Sequence, residues 1–405
     1  MGVIPRRLRK HVRTTLITAI LLITLFDVVG YHRLSIDTTA NNREAGAGTQ
    51  KIFIASIHWN NEAVLRGYWN TAVLALAKQF GVENVYISVY ESGSWDDSKG
   101  ALRELDQQLD KLGVNRTVVL DKTTHQDEIS QQPGPSGWID TPRYMRELRR
   151  IPYLSRLRNL SLSPLETLRQ SGVVFDKILF LNDVVFEVDD VLALLATNGG
   201  NYAAACSLDF ARPPQYYDTF ALRDLEGHET IMQTWPYFRS WRSRSAIKQN
   251  KPVPVTSCWN GMVSMDAGPF YGSTGMTTSS LQFRGIADSL AQTHLEASEC
   301  CLIHQDNPIS AIKGVWLNPN VRVGYNKPAY DLVNSATHRM SLLGYLRASW
   351  ENRLRRWFTS DWLKKWVVRK RLQSWEHTGV DRSERGVDCL INEMQVLISN
   401  GWKHL

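Results

Sequence analysis

The feature that most constrains the fold is an alternation of apolar strands and amphipathic helices near the start of the polar part of the chain. The runs, in order, are a strand at 51–57, a helix from 60 or 61 to 80, a strand at 84–90, a helix at 98–112 that Gly113 ends, and a strand at 116–120. Apolar residues recur at helical spacing in the second helix, at positions 102, 105, 109 and 112. Such alternation predicts a mostly parallel sheet covered by helices, which binds its ligands at the carboxyl ends of the strands.

The rest of the chain continues this pattern less regularly. After a Pro/Gly-rich loop, the predicted elements are an Arg-rich helical stretch at 141–170, strands at 173–181, 202–208 and 254–265, a helix at about 280–292 and a strand at 315–325. From about residue 335 the pattern becomes helical, basic and rich in Trp. The 405 residues are enough for one large or two ordinary domains.

The N-terminus carries a targeting or membrane segment. Five basic residues within 1–13 precede an apolar run, and 14–30 can form a helix of roughly 26 Å, near the lower limit for crossing a bilayer. Positive charge before the run places 1–13 in the cytosol as a basic tail and makes 14–30 a transmembrane signal-anchor, with the body in the lumen. The alternative is a cleaved signal peptide, although no A-x-A-like site follows.

Residues 31–50 are polar and contain Gly46-Ala47-Gly48, which is typical of a flexible stem before a folded body at 51–335. Two sequons, at Asn115 and Asn159, are compatible with a luminal body. The five cysteines show no C-x-x-C spacing, and an oxidising lumen would leave one of them unpaired. Small buried hydrophobes are the other interpretation of each cysteine.

The net charge of +7 does not indicate a nucleic-acid binder. Basic residues are concentrated in 1–13 and 339–375, so the remaining body is acidic. An acidic body disfavours a groove that follows a phosphate backbone. The chain also lacks G-x-G-x-x-G, G-x-x-x-x-G-K-[ST], H-E-x-x-H and G-x-S-x-G, so it is not an evident dehydrogenase, P-loop enzyme, zincin or serine hydrolase.

One polar pair lies where a ligand is expected. The apolar strand that ends at Leu181 delivers Asn182 and Asp183 to its carboxyl end. A carboxylate there can hold a divalent cation that neutralises a diphosphate leaving group. The alternative is an Asp that only ends the strand and caps a turn.

A second acidic cluster follows a predicted helix. Glu296 and Glu299 are three residues apart, which places them on one helical face, and His304 and Asp306 follow within reach of a common site. These side chains offer acid, base and metal-ligand chemistry. A helix with a solvated acidic face is the alternative.

A third motif interrupts an apolar strand at 257–262. Trp259 supplies an aromatic plane, Asn260 an amide and Gly261 a flexible backbone, the combination that holds sugar rings by stacking and hydrogen bonding. A Trp that is simply buried in the core is the alternative.

Six short runs resemble, in order, the fungal capsule-associated mannosyltransferases, glycosyltransferase family 69. They are 86–97 (YISVYESGSWDD), 157–159 (LRN), 180–184 (FLNDV), 217–219 (YDT), 258–261 (CWNG) and 298–302 (SECCL). The resemblance covers roughly 51–325. It implies a GT-A type nucleotide-diphospho-sugar transferase fold with a Rossmann-like, mostly parallel sheet, so that 51–335 is a luminal glycosyltransferase domain. The domain would follow the transmembrane helix and precede a basic, Trp-rich helical C-terminal region at 336–405.

The resemblance also implies roles for residues of the donor site. It places Asp183 at the metal position and Asn182 beside the donor. Glu91, at a strand end, would meet the nucleoside, and Arg158 would bind the diphosphate bidentately. Many enzymes of this fold carry Asp-x-Asp where this chain has Asn-Asp-Val, so a second metal ligand is needed.

The remaining roles fall on the later motifs. His304 and Asp306 are the candidates for the second metal ligand. Glu299 would act with Asp183 as a catalytic residue, orienting or deprotonating the acceptor hydroxyl. The predicted acceptor-binding residues are Asp218, Trp259, Asn260 and Gly261.

The predicted function is transfer of mannose from GDP-mannose to a glycan or polysaccharide acceptor, assisted by Mn²⁺ or Mg²⁺. The resemblance implies an α-1,3 linkage formed with retention. The expected location is the membrane of the Golgi or endoplasmic reticulum, single-pass with the catalytic body luminal, and no nucleic-acid partner is expected. The alternative is a catalytically silent carbohydrate-binding or polysaccharide-assembly protein of the secretory pathway.

Overall fold

The structure is a computed structural model that describes residues 6–37, 50–272, 279–335, 340–380 and 382–405. Its strands are β1 (Ile52–His58), β2 (Val85–Ser92), β3 (Asn115–Asp121), β4 (Trp138–Asp140), β5 (Arg146–Leu148), β6 (Lys177–Leu181), β7 (Ala204–Arg212), β8 (Gln215–Tyr216), β9 (Arg223–Asp224), β10 (Val253–Ser257), β11 (Met262–Asp266), β12 (Glu296–Ala297), β13 (Val315–Gly324), β14 (Leu390–Ile391), β15 (Gln395–Ile398) and β16 (Gly401–His404).

The helices are α1 (Arg6–Asp37), α2 (Glu62–Val64), α3 (Asn70–Phe80), α4 (Ser98–Leu112), α5 (His125–Ser130), α6 (Arg150–Leu162), α7 (Pro164–Gln170), α8 (Val188–Leu195), α9 (Trp241–Lys248), α10 (Asp288–Ala291), α11 (Glu299–Asp306), α12 (Ser310–Lys313), α13 (Lys327–Asn334), α14 (Leu342–Phe358) and α15 (Trp362–Glu376). A π-helical turn, Leu65–Trp69, joins α2 to α3.

One large mixed sheet organises the body. Its strand order is β3-β2-β1-β6-β11-β7-β13-β10-β9, with β8 paired to β7. The strands β3, β2, β1 and β6 are mutually parallel, β11 runs antiparallel between β6 and β7, and β13 returns parallel to β7. The predicted α/β alternation through 51–120 is therefore confirmed, element by element.

Burial on both faces explains why the central strands form. Along β1, Phe53 and Ala55 join the core on one side of the sheet, while Ile52 and Ile54 join the core on the other. The second core includes the apolar faces of α3 and α4, whose buried residues include Val73, Leu76, Leu102, Leu105 and Leu109. Each fully buried aliphatic side chain contributes about 1.5–3 kcal/mol relative to exposure, so the sheet is fixed chiefly by these two layers.

The predicted strand at 254–265 is wrong, because the structure has two strands there. β10 and β11 lie apart in the sheet and are joined by a turn in which Asn260 and Gly261 have positive φ values of 45° and 90°. A Cβ on Gly261 would lie 2.5 Å from Val323 Cγ2, so only glycine fits. The turn lets one apolar run supply both strands.

Two further predictions need correction. The helix expected at 280–292 is limited to Asp288–Ala291, and the stretch 141–149 contains β5 instead of helix. The guanidinium of Arg149 is buried and pairs with Asp288 at 2.6 Å and Glu296 at 2.7 Å. This long-range pairing, invisible to local periodicity, holds both segments in irregular conformations.

The C-terminal region is helical at α14 and α15, as predicted, but its last part forms β14, β15 and β16. β14 pairs with β12 beside the second acidic cluster. Disulfides link Cys301 to Cys389 and Cys206 to Cys258, and Cys300 stays reduced and buried. The end of the chain is thus attached covalently to the body.

The apolar part of α1, His11–His32, has a hydropathy of 2.0 and is long enough to cross a membrane. Near its end Asp27 is only 3% exposed, because Arg353 binds its two carboxylate oxygens at 2.5 and 2.7 Å. The helix α1 is therefore attached to α14 of the body.

Removing the Cys301–Cys389 cross-link should lower stability. This bond spans 88 residues, and closing a loop of that size stabilises a fold by about 2–4 kcal/mol. We expect Cys389→Ser to lower the free energy of unfolding by that amount in urea titrations followed by Trp fluorescence. Cys300→Ser, which breaks no cross-link, is the control, and equal loss in the two variants would contradict the assignment.

Candidate active site

A cavity of about 800 Å³ opens where β6 and the β10–β11 turn end, against α6 and α11. The residues that line it and carry the chemistry discussed below are Arg150, Arg158, Asn182, Tyr217, Asp218, Trp259, Glu299 and Tyr325. The C-terminal hairpin closes one side through Gln395, Trp402 and His404. The cavity therefore brings together residues from the runs at 157–159, 180–184, 217–219, 258–261 and 298–302. The C-terminal hairpin adds one side that the sequence did not predict.

The pair at the end of β6 is held by the protein from both sides. Asn182 accepts a hydrogen bond from Trp259 Nε1 on its side-chain oxygen and one from Trp69 Nε1 on its carbonyl, each at 3.1 Å. Asp183 accepts a hydrogen bond from Asn61 Nδ2 at 2.8 Å. Burial raises the pKa of Asp183, so a bound cation would be the natural partner of its charged form.

An ion pair lies across the cavity from this turn. Arg158 Nε donates to Glu299 Oε1 at 3.0 Å, and both side chains are nearly removed from water. The guanidinium of Arg158 also stacks 4.4 Å from the centre of the Trp259 ring. Cys300 Sγ contacts the same oxygen of Glu299 at 3.3 Å, and burial raises the pKa of this thiol, which keeps it protonated. Glu299 is therefore oriented by two donors.

A second pair of acidic side chains lies behind the cavity wall. Asp209, fully buried in the second half of β7, accepts hydrogen bonds from Asn260 Nδ2 at 2.9 Å, from the Asp218 backbone N–H at 3.2 Å and from the Tyr325 hydroxyl at 3.2 Å. Burial, then repulsion from Asp218, raises the pKa of Asp209 to about 7. Burial also raises the pKa of Asp218. Asp218 is the member of the pair that lines the cavity.

Glu91 lies at the end of β2, as predicted, but its carboxylate is fully buried. It accepts a hydrogen bond from the Ser94 backbone N–H and pairs with Lys99 at 3.1 Å. Ser94 in turn accepts from the backbone N–H of Asn60, next to the Asn61 that binds Asp183. The prediction that Glu91 contacts a nucleoside therefore needs correction. Glu91 instead supports the loop whose Asn61 binds Asp183.

His304 and Asp306 do not join Asp183. His304 is buried beside the Cys206–Cys258 disulfide, where Nε2–H donates to the Cys258 carbonyl at 2.7 Å, and burial lowers the pKa of its imidazole to about 4. Asp306 pairs with Arg284 at 2.6 Å. The prediction that these two residues complete the metal site is wrong, because each already has a partner elsewhere.

Within the described residues, the only group of three suitable metal ligands is Cys206, Cys258 and His304. The two sulfurs are bonded to each other, so neither is a thiolate able to bind a metal. Of the three predicted metal ligands, all of which the structure describes, Asp183 alone thus lies just after β6. A Mg²⁺ or Mn²⁺ held by one carboxylate together with donor phosphates fits this arrangement, whereas a cage built only from protein ligands does not.

Two acceptor-binding predictions also need correction. Asn260 and Gly261 are fully buried and do not belong to the described lining of the cavity. Asn260 instead donates to Asp209 and to the Asp218 carbonyl at 3.1 Å. Their motif supports the acidic pair, while Trp259 and Asp218 do line the cavity.

Sequence reasoning missed Asn61, Asp209 and Arg150. Asp209 follows the predicted strand at 202–208 just as Asp183 follows its own strand, so the same rule would have found it. Arg150 lines the cavity, donates to Gln395 Oε1 at 2.6 Å and lies 4.0 Å over the Trp402 ring. Both partners come from a distant segment of the chain, so no local sequence pattern predicts these contacts.

The mostly parallel sheet, the polar pair after β6 and the cavity lined by acidic and basic side chains agree with the glycosyltransferase fold that the sequence resemblance implies. The profile of the family described as cryptococcal mannosyltransferase 1 matches residues 51–306, and the chain belongs to that family. The predicted family and fold class are confirmed. Comparison with curated proteins gives no significant match.

Several solved structures are distantly similar. The mannosyltransferase PcManGT from Pyrobaculum calidifontis, solved with GDP-Man and Mn²⁺, is 11% identical with a TM-score of 0.34, over 90% of this chain and 86% of that one. GalNAc-T7, solved with UDP, GalNAc and Mn²⁺, is 11% identical with a TM-score of 0.37, over 75% of this chain and 50% of that one. TarS 1-349 from S. aureus is 11% identical with a TM-score of 0.33, over 67% of this chain and 60% of that one. The family match carries the assignment.

The raised pKa of Asp209 predicts a pH-dependent stability. The unfolded carboxyl ionises near its ordinary value of 3.8, whereas the folded one keeps its proton up to about 7, so unfolding releases a proton between those values and stability falls as pH rises. Asn cannot titrate. We expect wild type to lose up to about 1.4 kcal/mol per pH unit relative to Asp209→Asn over this window, measured by urea unfolding.

The matched control is Asp189→Asn, which changes an exposed carboxylate in the first turn of α8. Its stability should follow wild type across the pH range. Parallel curves for wild type and Asp209→Asn would show that Asp209 does not hold a proton in the folded state.

Proposed function

We propose that the protein is a type II membrane mannosyltransferase that transfers mannose from GDP-mannose to a glycan or polysaccharide acceptor. The α-1,3 linkage and retention of configuration follow from the resemblance to family 69. The single observation that carries the proposal is the convergence of Arg158, Asp218 and Glu299 around one cavity that Asn182 also lines, with Asp183 next to Asn182 just after β6.

The barrier in glycosyl transfer is departure of the nucleoside diphosphate as the anomeric carbon becomes cationic. Arg158 uses Nε for Glu299 and has no partner for its two Nη atoms among the described residues. Those donors can bind the leaving phosphates, with Arg150 as a second cation on the same helix and cavity. A Mn²⁺ or Mg²⁺ ion at Asp183, when bound, supplies further positive charge to the diphosphate.

Glu299 is the group best placed to handle the acceptor. Its carboxylate is held on the cavity wall by hydrogen bonds with Arg158 and Cys300. It can orient the acceptor hydroxyl or take its proton. Asp218 lines the adjoining wall, where a polar side chain can bind a sugar hydroxyl. Trp259 is 1% exposed and covered by Arg158, so it contributes by holding Arg158 and Asn182 in place.

The location proposed is the Golgi or endoplasmic reticulum membrane, with α1 as the anchor and the catalytic body luminal. The length of the apolar part of α1 and the basic residues concentrated at its N-terminal end support this orientation. Two disulfides in the structure are typical of an oxidising compartment. Of the two sequons, Asn159 uses both atoms of its amide to bind Phe283, which leaves exposed Asn115 as the acceptor for a glycan.

A catalytically silent carbohydrate-binding protein is the alternative, since the donor edge offers one acidic ligand where many relatives of this fold use two. The full chain, incubated with GDP-mannose and Mn²⁺, should release GDP and extend an oligomannoside acceptor. Parallel reactions with other nucleotide sugars, and reactions without metal, serve as controls for donor and metal dependence. Binding of sugar without any release of GDP would favour the silent protein.

Asp183→Asn should abolish metal-dependent transfer while leaving acceptor binding intact. The change keeps the shape and removes the charge that would hold the cation, and loss of such an electrostatic contribution costs about 10²–10³-fold in turnover. Asp189→Asn is again the control for a carboxylate outside the cavity. Turnover equal to wild type in Asp183→Asn would remove Asp183 from the metal site.

Glu299→Gln should reduce turnover by about 10²–10⁴-fold, as expected for loss of a general base, with little change in donor affinity. Steady-state rates give the first quantity and GDP-mannose titration of the variant the second. Glu83→Gln, at an exposed carboxylate, serves as the control. An equal loss of donor affinity would instead identify Glu299 as a donor-site residue that acts only by holding Arg158.

A further inference from the structure

The helices α14 and α15 carry an exposed apolar and aromatic surface, which we call the C-terminal face. Its members, each between 46% and 80% exposed, are Leu343, Leu354, Trp357, Phe358, Trp362, Leu363 and Trp366. The opposite side of α14 packs on the body through Tyr345, Ser349 and Asn352. Large apolar side chains gathered at this density on a surface mark a site of interaction.

This face is continuous with the anchor helix. Tyr31 of α1 meets Met340 and Tyr345 at the start of α14, whereas Thr24 binds Trp350 Nε1 at 3.2 Å further along α14. The two helices therefore run in opposite directions. Residues of α14 beyond Trp350 continue toward the apolar middle of α1.

The polar contact between the helices marks where the apolar environment ends. Asp27 is bound by both terminal nitrogens of Arg353 and lies 3.6 Å from Lys248 of the body. A carboxylate with two cations is costly to place among lipid chains, so this cluster belongs at the interface. Trp357, one to two turns beyond Trp350 and at 6.2 Å from its ring, lies on the lipid side of that boundary.

Exposed basic residues border the apolar ones. They are Arg347, Arg355, Lys364, Arg369 and Lys370, and the Lys370 ammonium lies 5.0 Å over the Trp366 ring. Trp and Tyr favour the boundary between headgroups and acyl chains, and each Lys or Arg near an anionic membrane surface contributes about 1 kcal/mol of attraction. Aromatic, aliphatic and cationic groups together match a phospholipid surface.

We propose that the C-terminal face lies in the headgroup region of the same bilayer that α1 crosses, so that the protein is held by one span and one interfacial surface. The proposal rests on α1 being the membrane anchor, as proposed above. Glu351 and Arg355 of α14 also line the catalytic cavity, so this contact would hold the mouth of the cavity beside the membrane. A lipid surface, not a second protein, is the occupant that the adjoining span supplies.

The test uses the full chain in vesicles of phosphatidylcholine with phosphatidylserine. A nitroxide is attached to a single introduced cysteine in Phe358→Cys, and its collision rates with oxygen and with a water-soluble nickel chelate are compared. Val380→Cys, at a side chain 93% exposed beyond α15, is the matched aqueous control. The unmodified chain gives the background, because its one free cysteine is buried.

We expect the oxygen-to-nickel ratio at 358 to be severalfold higher than at 380. A third variant, Leu21→Cys, reports on the span itself. If the label at position 21 contacts lipid while the label at position 358 contacts water, the proposal for the C-terminal face is wrong, whereas α1 remains the membrane anchor. Water exposure at both would overturn both, and a label at 358 shielded from both reagents would show a protein partner and contradict the proposal.

Discussion

The burial of several carboxylates around one cavity is the constraint on which the rest of the structure depends. Charged carboxylates lose hydration in such a place, which raises the pKa of Asp183, Asp209 and Asp218. Each is therefore surrounded by donors. Asn61 serves Asp183, while Asn260 and a tyrosine hydroxyl serve Asp209. These donors come from separate elements, so the sheet must assemble completely before the cavity is stable.

The short turn between β10 and β11 carries much of this support. Cys258 is cross-linked to β7, and its carbonyl accepts the only hydrogen bond described for the imidazole of His304. Trp259 binds Asn182 and lies under Arg158, and Asn260 reaches Asp209. Gly261 lets the backbone pass close to β13. The motif at 258–261, which the sequence suggests to be a sugar-stacking site, therefore mainly supports neighbouring elements. Of its residues only Trp259 lines the cavity.

The C-terminal region matters for the same reason. A disulfide and the β12–β14 pairing attach it beside Glu299, and its last hairpin closes the cavity with Gln395 and Trp402. Its first helix, α14, binds α1 through Arg353. Among the basic residues at this end of the chain, Arg353 thus holds α1, while Arg355, Lys364 and Lys365 form ion pairs with Glu351, Glu229 and Asp361.

Local pattern by itself determined the α/β core, because strand and helix periodicities between 51 and 120 are strong. The same reasoning put Asp183 just after a parallel strand, where the structure has it, because such a strand presents the residues at its end to the ligand edge. Six motifs in order determined the family. Only the tertiary structure decided which polar residues meet. His304 and Asp306 are close in sequence to Glu299 yet turn to Cys258 and Arg284, since a helix points successive side chains in different directions. Arg150 and the C-terminal wall join the cavity through contacts across more than two hundred residues, which no local periodicity encodes.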